Sequence, residues 1–356
     1  MKNYDVIAIG AGPAGSTAAF KCSSSGFKTL LLELKRLPRT KICGGLLTPA
    51  CIDLINEEIE KEIPERIKSK PAEIGLYYIP PSGKANGKQV FNYKITNIQR
   101  SFFDYWLTEL AKQAGAEIID EAKFISFREK NGNLEISVII RGQPVVFTTK
   151  YLIGADGVFS TIRKQITGTD FKKNIATIFQ EWYKATCDIE NFFYMFWRDS
   201  VTPLCAYAYP KDELFVLGTG VTPESQLTVI ESMSKFRDWL KYEFNFKPEK
   251  LLKREVWAIP FGYICYGEKN IVLVGDAAGF CNAFSGEGIR PAIESGLIAA
   301  ESVKLAETTQ KELVQVYEKQ VNGIAEFVKR VHRFTIELDD EKKEDFVKNA
   351  SKTVIN

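Results

Sequence analysis

The sequence predicts an α/β protein built on a parallel sheet, and three observations indicate this class. The chain opens with an apolar strand at residues 4–9, a glycine-rich turn and a helical stretch at 16–25. Two further apolar strands end in glycine and aspartate, at 151–157 and 271–276. Between them, residues 174–221 read as several short strands rich in aromatic residues. We therefore expect a parallel sheet covered by helices, with a mixed or antiparallel β-sheet inserted as a second domain.

The opening turn indicates dinucleotide binding. Residues 10–15 read GAGPAG, a G-x-G-x-x-G pattern between a strand and a helix. In this setting Gly10 permits the tight turn, Gly12 lets the backbone approach a pyrophosphate, and Gly15 allows close helix packing. The helix N-terminus then faces the anion. Glu33 lies 18 residues after Gly15, where an acid is expected to accept hydrogen bonds from an adenosine ribose.

The composition excludes several kinds of binding and catalytic site. The 356 residues include 47 basic and 45 acidic ones, so the charge gives no case for nucleic acid. Seven cysteines without a C-x-x-C pair argue against zinc, and the single histidine, His332, excludes histidine triads and H-E-x-x-H sites, so no metal is expected. No apolar run approaches the roughly 20 residues that span a bilayer. We expect a cytoplasmic protein, with peripheral contact to the inner face of the membrane as an alternative.

Three strand ends with glycine and an acid, at 10–15, 156–157 and 275–276, resemble one FAD-binding family. This family includes p-hydroxybenzoate hydroxylase, flavin halogenases and geranylgeranyl reductases. The resemblance implies FAD as the cofactor, held by a Rossmann-like domain of the p-hydroxybenzoate hydroxylase type. It also implies that Asp276 binds the ribityl chain and that the helix opened by residues 285–289 directs N–H groups at the flavin.

Residues 41–49, KICGGLLTP, resemble the Cys-Gly-Gly element of geranylgeranyl reductase-like proteins, in particular a shorter bacterial branch associated with lipids. The similarity continues through Arg100, residues 156–157 and the helix at 287–301. The cofactor contacts that the resemblance implies are Gly10, Gly12, Pro13, Ala14, Gly15, Glu33, Leu34, Cys43, Gly44, Gly45, Leu46, Arg100, Phe124, Asp156, Gly157, Asp276, Gly286, Gly288 and Ile289.

Residues 202–210, TPLCAYAYP, stand where this family has a Y-x-W-x-F-P element that lines a lipid tunnel. The match is partial, because Cys205 replaces the tyrosine, Tyr207 the tryptophan and Tyr209 the phenylalanine, while Pro210 is kept. These three residues are the candidate substrate pocket, with core packing as the alternative. Tyr207 or Cys205 is also the candidate proton donor, and the partial match leaves the prenyl ligand open.

Two interpretations of Cys43 remain open. As a catalytic residue it is a redox partner of the flavin or a gate of the site, with Cys281 a possible disulfide partner. As a structural residue it is a small side chain that packs beside two glycines. Cys43 and Tyr207 are the catalytic candidates.

The predicted domains are discontinuous. Residues 1–75, 100–170 and 265–310 form the FAD-binding domain, and residues 76–99 and 171–264 form the substrate domain. Residues 311–356 form a C-terminal helical segment. Its helix at 311–334 is expected to dock on its own domain, with an anionic membrane surface as the alternative. The charged tail from residue 337 is expected to be partly disordered.

The expected function is an FAD-dependent oxidoreductase that reduces C=C double bonds of an isoprenoid or other lipid by flavin hydride transfer. A small apolar molecule is therefore the expected substrate. A monooxygenase or halogenase is the first alternative, although the halogenase lysine and W-x-W-x-I-P pattern are not evident. A flavin redox sensor without turnover is the second. The electron donor is open between NADPH, another reduced flavin and a protein such as ferredoxin.

Overall fold

The computed structural model describes residues 2–169 and 171–350, and the statements below refer to these residues. The strands in this part of the chain are β1 (Lys2–Ile9), β2 (Thr29–Leu32), β3 (Leu46–Leu47), β4 (Lys68–Ile79), β5 (Lys88–Ile98), β6 (Glu117–Ile119), β7 (Ala122–Lys130), β8 (Asn133–Ile140), β9 (Gln143–Gly154), β10 (Ile175–Thr186), β11 (Phe192–Arg198), β12 (Thr202–Lys211), β13 (Leu214–Val221), β14 (Lys247–Pro260), β15 (Gly267–Glu268) and β16 (Ile271–Leu273). The helices are α1 (Pro13–Ser24), α2 (Pro49–Glu58), α3 (Arg100–Gln113), α4 (Thr161–Thr167), α5 (Val229–Phe244), α6 (Ile289–Thr309), α7 (Leu313–Glu337) and α8 (Asp340–Asn349).

The chain divides into two compact units, and the first comprises residues 1–41, 101–174 and 260–330. Its sheet has the strand order β15-β16-β9-β1-β2-β6, and the hairpin of β7 and β8 joins it at β9. Strand β1 pairs in parallel with β2 and β9, and β16 pairs in parallel with β9. Parallel strands end at the same edge of a sheet, so the segments after β1, β9 and β16 come together there. The predicted α/β class is confirmed.

Helix α7 completes the core of the first unit. Its apolar residues recur at helical spacing and are buried, and the Tyr317 hydroxyl donates to the Leu273 carbonyl at 3.0 Å. The structure therefore confirms the prediction that this helix docks on its own domain. The core residues from α7 are Leu313, Val316, Tyr317, Val321, Ile324, Ala325 and Val328.

Within residues 2–169 and 171–350, none of the helices combines the length and the apolar character needed to cross a bilayer.

The second unit comprises residues 42–100, 175–259 and the chain from 331. Its sheet has the order β14-β10-β13-β12-β11-β4-β5-β3, mostly antiparallel, with β11 and β4 parallel. Helix α5 begins with a capping box of Thr228 and Glu231 and covers one face. On that face the Phe196 ring lies 5.0 Å from that of Phe236, centroid to centroid. This is the expected mixed β-sheet.

Side chains alternate between the two faces of a strand, and this sorts the residues of β12. Ala206 and Ala208 belong to the core under α5. Cys205, Tyr207 and Tyr209 therefore lie on the opposite face. We call this opposite side of the second sheet the aromatic face.

The charged tail is ordered over residues 340–349, so the expectation of disorder was wrong there. Helix α8 begins at the cap Asp339, whose side chain accepts from the Lys342 N–H at 2.9 Å. Phe346 packs its ring against Tyr78 at 5.5 Å and against Trp197 at 5.7 Å. Two apolar residues among ten mostly charged ones, Phe346 and the buried Val347, stabilise this helix, and composition alone hides it. Residues 351–356 lie outside the described part.

Candidate cofactor and substrate sites

The turn after β1 has the geometry expected for a pyrophosphate site. Gly10 has φ +106°, and a Cβ on it would overlap the Ala155 carbonyl oxygen that follows β9. Gly12 is the N-cap of α1, and Pro13 is the first helical residue. The first N–H groups of a helix have no partner within the helix and carry partial positive charge. The turn therefore offers N–H donors to an anion.

Glu33 lies against this turn. The residue is 5% exposed, and its carboxylate accepts from the Ala11 N–H at 2.8 Å and from the Lys35 N–H at 3.0 Å. Carboxylate oxygens accept hydrogen bonds, which suits a ribose diol. The neighbouring Leu34 side chain is exposed, so only its backbone is positioned beside Glu33.

Arg39 adds a positive charge that the sequence analysis missed. Its Nε lies 3.2 Å from the Glu33 carboxylate, and its Nη1 lies 3.2 Å from that of Asp104. Its Nη2 lies 3.5 Å from where a Cβ on Gly12 would stand. The guanidinium therefore flanks the glycine turn between two acids. No local pattern marks it, because its partners lie on separate elements.

Asp156 closes the second predicted segment. Its Oδ2 accepts from the N–H groups of Thr161 and Ile162, at 2.7 and 3.2 Å, and so anchors the start of α4. Its Oδ1 is buried without a hydrogen-bond partner among the described residues. Burial raises the pKa of Asp156, and the hydrogen bonds from Ser160 and the α4 backbone oppose this. An acceptor left buried in this way costs about 1–3 kcal/mol, so it suits a donor from a bound molecule.

The third segment lies against the first. Asp276 sits in the short 3-10 turn Gly275–Ala277, and its Oδ1 lies 3.3 Å from where a Cβ on Gly288 would stand. Gly288 is the N-cap of α6. A Cβ on Gly275 would come within 3.2 Å of Ala14 in α1. The structure thus brings together residues 10–15, 155–156 and 275–288 at the carboxyl edge of the parallel sheet.

Three other predicted contacts belong to the same unit. Gly286 has φ +72° in a turn that its N–H closes on the Asn282 carbonyl at 2.8 Å. Ile289 is the buried first residue of α6. Phe124 is buried in the core on β7. Their contacts with a cofactor stay predictions.

Arg163 joins the second and third segments and was also missed. The side chain is buried, with Nη1 donating to the Tyr263 hydroxyl at 2.7 Å and to the Ala277 carbonyl at 2.9 Å. Its Nη2 donates to the Val158 carbonyl at 2.6 Å. The Tyr263 hydroxyl donates in turn to the Asp276 carbonyl at 2.9 Å. One guanidinium thus fixes the spacing of the two aspartate-bearing turns.

In the second unit, the Cys-Gly-Gly segment, Cys43 to Gly45, is attached to the sheet. The Gly44 carbonyl accepts from the Tyr209 hydroxyl at 2.9 Å and from Lys211 Nζ at 2.9 Å. Cys43 is half-buried, and its sulfur accepts from the Gly45 N–H at 3.4 Å. Leu46 continues the segment as β3, paired with β5. Arg100, at the start of α3, is buried.

The aromatic face groups three rings around one polar pair. Phe193 lies 5.5 Å from both Tyr207 and Tyr209, between ring centroids. The Tyr207 hydroxyl donates to Gln180 Oε1 at 2.8 Å, and Gln180 Nε2 is buried without a partner in the described chain. Burial raises the pKa of the Cys205 thiol to about 12 and that of the Tyr207 phenol well above its ordinary value. Both groups therefore hold their protons at neutral pH.

Residues 3–256 match the family model of the FAD binding domain. The chain belongs to this family. It is an FAD-dependent oxidoreductase by family, as the sequence predicts, and FAD is its cofactor.

This flavoprotein resembles proteins of more than one named activity. It is 28% identical over 312 residues to the geranylgeranyl diphosphate reductase of Rhodobacter capsulatus, covering 84% of this chain and 74% of that protein. A geranylgeranyl bacteriochlorophyll reductase-like protein from Thermoplasma acidophilum has a TM-score of 0.84 at 21% identity, covering 99% of this chain and 93% of the other. A flavin-dependent brominase has a TM-score of 0.79 at 19% identity, covering 97% and 90%. The two structural matches show the shared fold alone.

The residues of the first unit fit FAD. The glycine turn leaves room at Gly12 beside a guanidinium, and Asp156 Oδ1 is an acceptor without a partner in the described chain. In the flavoprotein structure Cys43 and Cys281 are both thiols, Cys43 half-buried and Cys281 buried, so their redox pairing stays a prediction.

Proposed function

We propose that this flavoprotein reduces C=C double bonds of an isoprenoid or other lipid. The observation that carries the proposal is the aromatic face, where Phe193 and Tyr207, both half-buried, and the fully buried Tyr209 form a wall of aromatic rings beside the attached Cys-Gly-Gly segment. Such a wall binds a hydrocarbon chain by burial of apolar surface, at about 25 cal/mol per Å². The likeness to a geranylgeranyl diphosphate reductase supports the same substrate class.

The proposal assigns the cofactor to the first unit. The glycine turn and the N-terminus of α1 bind the pyrophosphate, and Glu33 binds the adenosine ribose. Asp276 binds the ribityl chain, and the N-terminus of α6 faces the flavin ring. When bound, FAD supplies the hydride.

The aromatic face then has to supply a proton and exclude water. The Tyr207 O–H is polarised toward Gln180 Oε1, so the phenol is held in one orientation. Because its pKa lies well above the ordinary value, Tyr207 remains protonated throughout the neutral range. Cys205 is the second candidate donor, and it also stays protonated. Cys43 is the proposed third participant, on the segment that the face anchors.

The external partners follow from this chemistry. The substrate is a small apolar lipid, and a protein or nicotinamide donor reduces the flavin. NADPH and ferredoxin are both candidates for that donor. Peripheral contact with a membrane would deliver such a substrate, and it is part of the proposal.

Reoxidation of reduced flavin tests the proposal. The holoprotein is photoreduced without oxygen and mixed with geranylgeranyl lipids or polyprenyl phosphates, and the oxidised flavin absorbance is followed. We expect unsaturated lipids to restore the absorbance, and fully saturated lipids of the same length, the matched control, to leave it unchanged. A flavin that returns only when oxygen is admitted would favour the monooxygenase or halogenase chemistry instead.

A further inference from the structure

Lys211 is a buried cation at the end of β12, next to the aromatic face. The side chain is only 2% exposed. Its Nζ donates to the Asn97 Oδ1 and the Ile98 carbonyl at 2.7 Å each, and to the Gly44 carbonyl at 2.9 Å. An ammonium group has three donors and no acceptor, so all three of its N–H groups are used. All three acceptors are neutral oxygens.

These bonds hold the Cys-Gly-Gly segment at one place. The Tyr209 hydroxyl donates to the same Gly44 carbonyl at 2.9 Å. Gly45 has φ +71°, and a Cβ on it would overlap the Ile98 carbonyl and lie 2.9 Å from Lys211 Nζ. The Gly45 carbonyl accepts from the Ile98 N–H at 2.8 Å. The segment, the end of β5 and the end of β12 therefore share one hydrogen-bond cluster, with Lys211 at its centre.

We propose that Lys211 is a positioning residue for Cys43, and that its ammonium form holds the Cys-Gly-Gly segment in place while its neutral form releases one of the three contacts. The inference rests on the proposed function, in which Cys43 takes part in the flavin chemistry. Lys211 itself acts only through the segment.

The burial of Lys211 places this transition near physiological pH. Burial lowers the pKa of Lys211 to about 8. Cys43 and Asp212 act in the opposite direction, and Arg100 adds to the lowering. The Asp212 carboxylate accepts from the Lys70 N–H at 2.9 Å and from Gln99 Nε2 at 2.7 Å. The ammonium form of Lys211 therefore gives way to the neutral amine as the pH rises through about 8.

Loss of the proton changes the number of donors. A neutral amine keeps two N–H groups and turns a lone pair toward the third oxygen. One of the three bonds is lost and a buried acceptor is left without its donor. The segment is then held mainly by Tyr209 and by the pairing of Gly45 with Ile98.

Amide hydrogen exchange of the FAD-loaded chain tests the contact directly. The Ile98 N–H reports on the bond to Gly45 and is read in a peptide that covers residues 95–99, corrected for intrinsic exchange at each pH. We expect protection of this amide to fall by about tenfold between pH 7 and pH 9, as one hydrogen bond is lost. We call this fall the pH step. Lys211→Met is expected to show low protection at both pH values and to lack the pH step.

Two further variants separate positioning from simple destabilisation. Tyr209→Phe removes the other bond to Gly44 without changing a charge, so protection falls but the step near pH 8 stays. Asn97→Asp places a carboxylate on Lys211 and moves the step to higher pH, because an opposite charge favours the ammonium form. A step that persists in Lys211→Met, or that stays in place in Asn97→Asp, would overturn the proposal.

The reoxidation rate with unsaturated lipid links the contact to function. For the unchanged chain the rate is expected to decline above pH 8, whereas Lys211→Met is expected to be slow and flat across this range. A lipid-driven rate that keeps its decline in Lys211→Met would contradict the positioning role. If no lipid reoxidises the flavin, the proposed function fails, while the exchange experiment still decides whether Lys211 controls the segment.

Discussion

The Asp276 carboxylate lies 3.3 Å from the position that a Cβ on Gly288 would occupy. Gly288 is the N-cap of α6, and its φ of −121° is open to any residue, so the need for glycine here comes from space alone. The Asp276 carboxylate therefore lies close to the N-terminus of α6 and leaves little space for a side chain at position 288. A Cβ at position 288 would therefore require the Asp276 carboxylate to shift by a few tenths of an ångström.

Substitution of Gly288 tests this relationship. Gly288→Ala is expected to displace the Asp276 carboxylate and to raise the dissociation constant for FAD by about tenfold, the loss of one hydrogen bond to a charged group. Flavin fluorescence titration of apoprotein measures this. Gly323→Ala is the matched control, because Gly323 lies within α7 and a Cβ there would meet nothing within 4 Å. The control should bind FAD normally and gain up to about 1 kcal/mol in stability. Equal FAD affinity in both variants would refute the placement of Asp276.

Arg163 provides a test of the link between the two aspartate turns. Arg163→Met leaves the acceptors at Tyr263, Ala277 and Val158 buried without their donor, and is expected to lower the free energy of unfolding by about 3 kcal/mol or more. Thermal unfolding with and without FAD measures the loss. Arg141→Met removes an exposed ion pair with Glu121 at 3.5 Å and should change stability by less than about 1 kcal/mol. A similar small effect at Arg163 would contradict its bridging role.

The polar pair on the aromatic face makes a separate prediction. Tyr207→Phe removes the hydroxyl that donates to Gln180 Oε1, and Gln180→Met removes the acceptor of that hydroxyl. Each single variant is expected to lose about 1–3 kcal/mol of stability, because it leaves one buried polar group unpaired. The double variant should lose clearly less than the sum. Chemical denaturation of the four proteins measures the coupling, and additive losses would show that the two side chains do not act as a pair.

The stability of the chain should depend on pH through Lys211. Its folded pKa of about 8 lies below the roughly 10.4 of an exposed lysine, so the unfolded chain binds more protons between these values. Relative to the unfolded chain, in which Lys211 is hydrated, the cost of burying the ammonium group is therefore relieved as the pH rises through this window, by about 3 kcal/mol, although the Cys-Gly-Gly segment loses one local hydrogen bond. We expect the free energy of unfolding of the unchanged chain to rise relative to Lys211→Met from pH 8 to pH 10. A constant difference would mean that Lys211 does not titrate in the fold.

Local patterns predicted much of the fold. Residues 174–221 were predicted to form several short strands, and β10, β11, β12 and β13 lie there. The helix at 311–334 was predicted from its apolar spacing and is found at Leu313–Glu337. The segments at residues 10–15 and 275–288 could be placed at one sheet edge because each follows a strand that reads as parallel.

Residues whose roles depend on distant partners could not be predicted in this way. Arg163 bonds to Ala277, 114 residues away, and Lys211 bonds to Gly44, 167 residues away. Such contacts exist only after the strands take their order in the sheet. In the sequence, nothing distinguishes Gln180 from other polar residues on strands. Its hydrogen bond with Tyr207 depends on the register of β10, β13 and β12. Helix α8 was missed because two apolar residues in a charged tail give no periodic signal.

The mass of the lipid product tests the central claim most directly. Photoreduced holoprotein is exchanged into D2O without oxygen, given a geranylgeranyl lipid and quenched after one turnover, with fully saturated lipid as the control. Our account predicts oxidised flavin and a product with two added deuterium atoms at one former double bond, since both the hydride and the proton positions exchange with solvent. Recovery of the lipid unchanged, with the flavin still reduced until oxygen enters, would contradict it.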